Sequence, residues 1–424
     1  MPEWLGALEG YYGPALGHDK RLSLMQWMAT KGFNVFAYAP KDDPFHRAQW
    51  RDPYPDERLR EFEELARRGR EVGVEFCFTI SPGLDWRAGE DEAVLVGKLR
   101  SIAGTGCSTF GVLWDDVPPG GAELGESHAR GTAAAVDAIG GARWWTVCTD
   151  YALTRPTPYL DGFCKTLPVG VAVSWTGPAV TPLRITGDDA RTLGDALGRE
   201  LLLWENFPVN DALMRDVLHL GPYPERSPDL VDATQGVFLN TMEHALASRV
   251  GLACGARFWT DPASDREKVW REVIAEAPGL EPLARACRSW ASDTGPDPEL
   301  IEWAKAAPDD KRLRSFLEAG CRDGLDPELA SEVEPWLAAW ETEAQAMLMA
   351  LDILERGYRS ANRGIGGALL WTNARRLEKQ VFGIRNTVYP VTEQTGEYTT
   401  SRPEAAAFGE NLTDMLCRRA LRDE

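Results

Sequence analysis

Two aspartates, Asp115 and Asp116, stand side by side directly after the apolar run Phe110-Gly111-Val112-Leu113-Trp114. The run has the length and composition of a buried strand, and two carboxylates at its exit are costly to bury unless something pairs or uses them. Neighbouring residues present both carboxyls to one small volume; they do not easily straddle a sugar ring with one group on each face. Three chemistries use an acidic pair. Mg²⁺ binding usually adds further carboxylates and a phosphate substrate. The chain has five histidines, none at zinc-motif spacing, and no metal or other cofactor is expected. Ordinary two-carboxylate glycoside hydrolysis needs carboxyls about 5–5.5 Å apart across the bond, or further for inversion, which adjacent residues supply poorly. In substrate-assisted hydrolysis the substrate's own 2-acetamido oxygen attacks the anomeric carbon. One carboxylate then orients the amide N–H and the other protonates the leaving oxygen, both near the same side of the substrate. The plain structural alternative is a pair of carboxylates capping the next helix.

Other residues suit a sugar. Trp204-Glu205-Asn206-Phe207-Pro208-Val209-Asn210-Asp211 follows a further apolar run. An indole face covers the apolar side of a pyranose or the methyl of an acetamido group. Asn and Asp accept from, and Asn donates to, hydroxyls. For Trp204 alone, core packing explains the residue equally well.

The elements that must position these residues follow from the apolar pattern. Strands are expected at Leu5 to Glu9, Val35 to Tyr38, Glu75 to Ile80, Thr109 to Trp114, Trp144 to Cys148, Val169 to Trp175, Leu201 to Trp204 and Gly236 to Asn240. Amphipathic helices alternate with them. Asp56 to Gly73 places Leu59, Phe62, Leu65 and Ala66 on one face, and Asp91 to Gly104 does the same with Leu95, Leu99 and Ile102. Strand–helix repeats of this number predict an α/β fold, a (β/α)8 barrel. A doubly wound sheet would want a Gly-rich phosphate loop after the first strand, and Glu9-Gly10-Tyr11-Tyr12-Gly13-Pro14 lacks that pattern. Polar and aromatic residues follow nearly every strand, and in a barrel they converge on one face. From about residue 261 strand signals vanish. The longest helical run is expected from Pro327 to Asn362, with Trp336, Trp340, Met347, Leu351 and Leu354 as its apolar stripe. The division expected is a catalytic barrel over 1–260 and an α-helical bundle domain over 261–424.

Composition bounds the function. The chain of 424 residues carries a net charge of −19, which argues against nucleic acid and against anionic membrane surfaces as partners. No run is long and apolar enough to span a bilayer, and no signal peptide is expected ahead of the first strand. The eight cysteines are scattered without metal-knuckle or redox spacing. They are expected to be reduced core thiols in a cytoplasmic protein.

Several motifs resemble glycoside hydrolase family 84, the O-GlcNAcase family. They are Glu9-Gly10-Tyr11-Tyr12-Gly13 and Tyr38-Ala39-Pro40-Lys41-Asp42-Asp43-Pro44 with His46-Arg47, Trp50-Arg51 and Pro53-Tyr54. Ser81-Pro82-Gly83-Leu84-Asp85, the Asp115-Asp116 pair, Trp175-Thr176-Gly177-Pro178 and Trp204 to Asp211 continue the likeness in the same order, over roughly residues 5 to 250. The resemblance implies a (β/α)8 catalytic domain and a retaining, substrate-assisted β-N-acetylglucosaminidase. It implies that Asp115 orients and polarises the acetamido group and that Asp116 is general acid, then general base. It gives Tyr151 the acetamido oxygen, although Cys148-Thr149-Asp150-Tyr151 departs from the family's Pro-Thr-Glu-Tyr. It implies that Trp204 walls the methyl pocket, that Asn206 bonds near the acetamido side, and that the Gly10 backbone, Lys41, Asp211 and Asn240 hold ring hydroxyls.

The partner expected is a GlcNAc-bearing protein or glycan. Two other readings stand beside the O-GlcNAc one: a hexosaminidase for free amino-sugar oligosaccharides or hyaluronan-like chains, and a catalytically silent sugar-binding barrel. The later aromatics Trp336, Trp340, Trp371 and Tyr389 look exposed, so the helical domain is expected to form a homodimer and a rim for peptide.

Overall fold

The computed structural model describes residues 2–277, 279–289, 297–356 and 412–421. Parallel strands β1 (Trp4–Glu9), β2 (Val35–Tyr38), β3 (Glu75–Ile80), β4 (Thr109–Leu113), β5 (Arg143–Val147), β6 (Val171–Trp175), β7 (Leu201–Glu205) and β8 (Thr234–Asn240) close into a barrel in sequence order. Helices α1 (His18–Thr30), α2 (Asp56–Val72), α3 (Glu92–Ala103), α4 (Ala122–Ala138), α5 (Pro158–Thr166) and α6 (Gly187–Leu197) follow β1 to β6 in turn; two short 3-10 turns, Ala212–Met214 and Pro228–Leu230, stand after β7, and α7 (Ala245–Thr260) follows β8. This is the expected (β/α)8 barrel. β6 starts two residues later than expected, because Val169 sits on the preceding turn and is 92% exposed.

Strands buried on both faces must fill an inside and an outside. Trp4, Leu8, Val35, Ala37, Cys77, Leu113, Trp145, Ala172, Leu202, Trp204 and Phe238 pack within the barrel. Large rings fit there because small residues face them. A Cβ on Gly6 would lie 2.3 Å from the Phe238 ring, and one on Gly111 would lie 2.8 Å from the Trp145 indole. The outer faces pack against the helices. On α2 these contacts come from Phe62, Leu65, Ala66 and Gly69, and the helix stops at Gly73, which takes the left-handed conformation with φ 78°.

The chain continues as α8 (Arg266–Ala275), α9 (Leu280–Ala286), α10 (Pro298–Ala306), α11 (Arg312–Ala319), α12 (Pro327–Glu332), α13 (Glu334–Arg356) and α14 (Leu412–Leu421). Asp265, Asp297 and Asp326 cap three of these helices through their carboxylates. The single helix expected from Pro327 breaks at Val333. Pro335, in the first turn of α13, has no N–H to continue α12. Beyond Arg356 the expected helix runs out of the described residues, as do Trp371 and Tyr389.

Trp336 and Trp340 correct the expectation of exposed aromatics: they are 1% and 3% exposed. Trp336 meets the His244 ring edge-on and donates its indole N–H to the Asp216 carbonyl at 3.1 Å, so its packing partner is the barrel's own loops. These two rings offer no surface to a second copy. All eight cysteines are buried and none forms a disulfide. Among the described residues no helix is long and apolar enough to cross a membrane.

Candidate active site

Alternation along β4 places the acid pair. Leu113 faces into the barrel, Trp114 faces out to stack on the His128 ring at 4.2 Å, and Asp115 turns inward again at the barrel's C-terminal mouth. Asp116 leaves this alternation by taking φ 54°, a left-handed conformation that Asp tolerates better than bulky residues. The two neighbours therefore occupy different surroundings: Asp115 is buried and Asp116 is exposed.

Asp115 is held by charge. The Lys41 ammonium, from the β2 exit, contacts Oδ2, and Ser81 Oγ, from the β3 exit, donates to Oδ1 at 3.3 Å. Burial pushes this carboxyl up, but Lys41 and then Arg47 outweigh it and hold the group below the ordinary carboxylate range. Lys41 itself lies 5.7 Å from the Trp204 ring and 5.9 Å from the Tyr12 ring, a cation between two aromatic faces.

Asp116 is held by phenols. Tyr151 Oη, from the β5 exit, donates to Oδ1 at 2.7 Å and Tyr12 Oη, from the β1 exit, donates to Oδ2 at 2.5 Å. Arg47 Nη1 donates to Tyr12 Oη at 2.8 Å. The Tyr12 backbone N–H donates to Asp211 Oδ2 at 2.7 Å, which brings in the β7 exit. Burial raises the Asp211 carboxyl above its usual range, against the pull of that N–H and of Lys41.

The third group is amide-lined. Gly10 N–H donates to Asn240 Oδ1 at 3.1 Å, and Asn240 Nδ2 donates to Asn206 Oδ1 at 3.1 Å. Trp204 Nε1 donates to the same Asn206 oxygen at 2.9 Å, and Asn206 Nδ2 reaches the Val180 carbonyl at 2.9 Å. Only glycine fits at position 10, because a Cβ there would lie 2.9 Å from the Trp204 ring. Between Trp204 and Asn206, Glu205 points the other way and is neutralised by Arg226 behind the strand, with N–O distances of 2.7 and 2.9 Å.

All nine residues expected at the site thus stand at strand exits on one face of the barrel: Gly10, Lys41, Asp115, Asp116, Tyr151, Trp204, Asn206, Asp211 and Asn240. Two of them stand directly on the acid pair. Lys41 stands on Asp115, and the Tyr151 phenol stands on Asp116. Tyr12, Arg47 and Ser81 complete the arrangement, although sequence reasoning gave them no role. All three lie inside motifs already quoted, so position after a strand was their only signal. Other strand-exit polar groups serve structure. Asp43 accepts from the phenols of Tyr38 at 2.6 Å and Tyr54 at 2.7 Å, and Asn210 donates to the Val217 carbonyl at 2.9 Å. Lys98 on α3 pins the long loop after β2 by donating to the Trp50 and Asp52 carbonyls, both at 2.8 Å, and burial lowers its ammonium to about 8. Among the described residues no group of three or more His, Cys, Asp or Glu side chains is placed to hold a metal ion.

A closed (β/α)8 barrel with an unlike carboxylate pair, an indole wall and an amide cluster at its C-terminal mouth defines a glycoside-hydrolase type of site. Comparison with known proteins carries this to a family. The profile of the beta-N-acetylglucosaminidase family matches residues 5–291, and the chain belongs to that family, as its motifs led us to expect. The Protein O-GlcNAcases of Rattus norvegicus and Mus musculus are each 31% identical to it over 252 residues, covering 55% of this chain. The matched stretch is 27% of the length of each of those relatives. The solved structure of a Thermobaculum terrenum O-GlcNAc hydrolase mutant superposes with a TM-score of 0.80 at 23% identity, covering 99% of this chain and 94% of that one. That likeness speaks for the fold.

Proposed function

We propose that this chain removes terminal β-linked GlcNAc, with retention, by substrate-assisted hydrolysis, and that its substrate is O-GlcNAc on Ser or Thr of proteins. The observation that carries the reading is the division within the acid pair. Asp115, buried and kept ionised by Lys41, suits a fixed negative charge; Asp116, exposed at the rim among neutral donors, suits a group that gives and takes a proton.

The substrate's acetamido carbonyl oxygen attacks the anomeric carbon as the C1–O bond to the aglycone breaks. Asp116 passes its proton to the departing oxygen. Asp115 accepts the amide N–H and balances the positive charge of the forming oxazoline ring. Water then adds at C1, Asp116 takes its proton, and the oxazoline opens to GlcNAc with the original configuration. Trp204 walls the acetyl methyl, while Asn206, Asp211, Asn240 and the Gly10 backbone lie where ring hydroxyls would be held. Tyr151 exchanges Asp116 for the acetamido oxygen as substrate enters.

The names of the rodent relatives favour protein-borne O-GlcNAc. Eight buried cysteines without a disulfide support a reducing, cytoplasmic setting. The test is turnover of a GlcNAc-serine peptide beside a β-linked GlcNAc oligosaccharide. Preference for the peptide is expected; preference for the oligosaccharide would make the chain a hexosaminidase of free glycans, and turnover of neither would make it a sugar-binding barrel.

A further inference from the structure

The two phenols on Asp116 are not equivalent. Tyr12 Oη lies 2.5 Å from Oδ2 and also 2.8 Å from Arg47 Nη1. A guanidinium has five N–H donors and no acceptor, so Tyr12 Oη must accept from it. The single phenolic hydrogen of Tyr12 is then committed to Asp116 Oδ2. The order Arg47 to Tyr12 to Asp116 runs one way. Arg47 Nη2 also reaches the Asp116 backbone carbonyl at 3.5 Å, at the residue whose φ of 54° aims the carboxyl out of the β4 line. Tyr12 is fixed in turn by its backbone N–H on Asp211.

We propose that Tyr12, oriented by Arg47, is the positioning residue that assigns the transferable proton of Asp116 to Oδ1. The inference rests on Asp116 being the general acid. With Oδ2 occupied as an acceptor, a proton on this carboxyl has its place on Oδ1, the oxygen facing Tyr151 at 2.7 Å. When substrate draws the Tyr151 phenol to its acetamido oxygen, Oδ1 is left to face the leaving group. During transfer the Oδ1–H bond breaks, the hydrogen binds the glycosidic oxygen, and that oxygen keeps the electron pair of the broken C1–O bond. Negative charge grows on the Asp116 carboxylate, and the Tyr12 hydrogen bond on Oδ2 strengthens with it. An interaction stronger in the transition state than in the ground state raises kcat rather than lowering KM.

The test uses Tyr12→Phe, which removes one hydroxyl and keeps both the ring and the N–H on Asp211. Tyr12 is 47% exposed, so the substitution leaves core packing untouched. Two β-GlcNAc glycosides are compared: a serine peptide, whose leaving oxygen needs a proton, and a dinitrophenyl glycoside, whose leaving group does not. Y12F should lower kcat on the peptide about tenfold or more, the usual effect of a hydrogen bond to a charged group, with KM nearly constant. On the dinitrophenyl glycoside kcat/KM, which reports bond cleavage before Asp116 acts as base, should stay within about twofold. Arg47 lies near Asp115 as well, so Arg47→Met alone should depress both substrates. Added to Y12F it should not widen the ratio between them, because it acts on the proton through Tyr12. Asp116→Asn is measured alongside. Equal loss on both substrates for D116N would remove the acid assignment and the inference with it. A split for D116N with none for Y12F, or equal losses for Y12F, would overturn the role of Tyr12 alone.

Discussion

The inner and outer halves of the barrel mouth are built on opposite principles, although one peptide bond joins them. Inside, Asp115 is buried and meets an ammonium that holds its carboxyl below the ordinary carboxylate range. Outside, Asp116 is exposed, sits in a left-handed backbone conformation and meets two phenols. Ion pairing fixes a charge, whereas neutral hydrogen-bond partners leave a proton free to move. Adjacent residues of one type acquire different surroundings because strand alternation turns the first inward and a positive φ turns the second aside. Spacing in sequence supplies the pair, while the neighbouring strands supply each acid with different partners.

The harshest way to break this comparison is Asp115→Asn. In the proposed mechanism it removes the charge that balances a cationic intermediate, and about 10²–10³-fold should be lost from kcat/KM. The loss should be similar for good and poor leaving groups, unlike that of D116N. Near-normal turnover by D115N would end the division of roles.

A smaller effect with a direction of its own comes from Lys41→Met. In the proposed mechanism Asp115 acts ionised. Its carboxyl is held low by Lys41 and Arg47 against burial, so activity should persist as pH falls until that carboxyl takes a proton. Without Lys41 the upward push of burial gains weight, and the carboxylate takes a proton at higher pH. The acid limb of the kcat/KM profile should therefore move to higher pH. An unmoved limb would show that Lys41 serves ring hydroxyls alone.

The smallest effect should come from Trp336→Phe in α13. The indole N–H on the Asp216 carbonyl ties this helix to the loop that carries Asp211. Losing it should cost about 1 kcal/mol of stability in thermal or urea unfolding. KM for an aryl GlcNAc substrate should rise by no more than about threefold, with kcat nearly constant. A fall in kcat as large as that of Y12F would place the helical region inside the catalytic arrangement.

The strands were legible because each is buried on both faces and so reads as a nearly unbroken apolar run. Their exits were legible because a barrel must gather them on one face. The nine residues expected at the site follow from that rule and from the family motifs. Three features were not legible. Tyr12 and Arg47 meet across the exits of different strands, and nothing in either local stretch states that contact. The direction in which Trp336 and Trp340 face is decided by the barrel loops they cover, so an apolar stripe on a helix could not tell interior from interface. The break at Val333 was present in the sequence as Pro335, but the apolar stripe continues across it and hid it.

In the proposed mechanism the nucleophile belongs to the substrate and the two aspartates serve it. The most direct measurement is kcat/KM for aryl β-GlcNAc glycosides whose acetyl group carries none, one, two or three fluorines. Each fluorine makes the carbonyl oxygen less nucleophilic, so the rate should fall stepwise along the series. A flat series, or a sugar ester trapped on Asp115 or Asp116, would contradict the account and make a protein carboxylate the nucleophile.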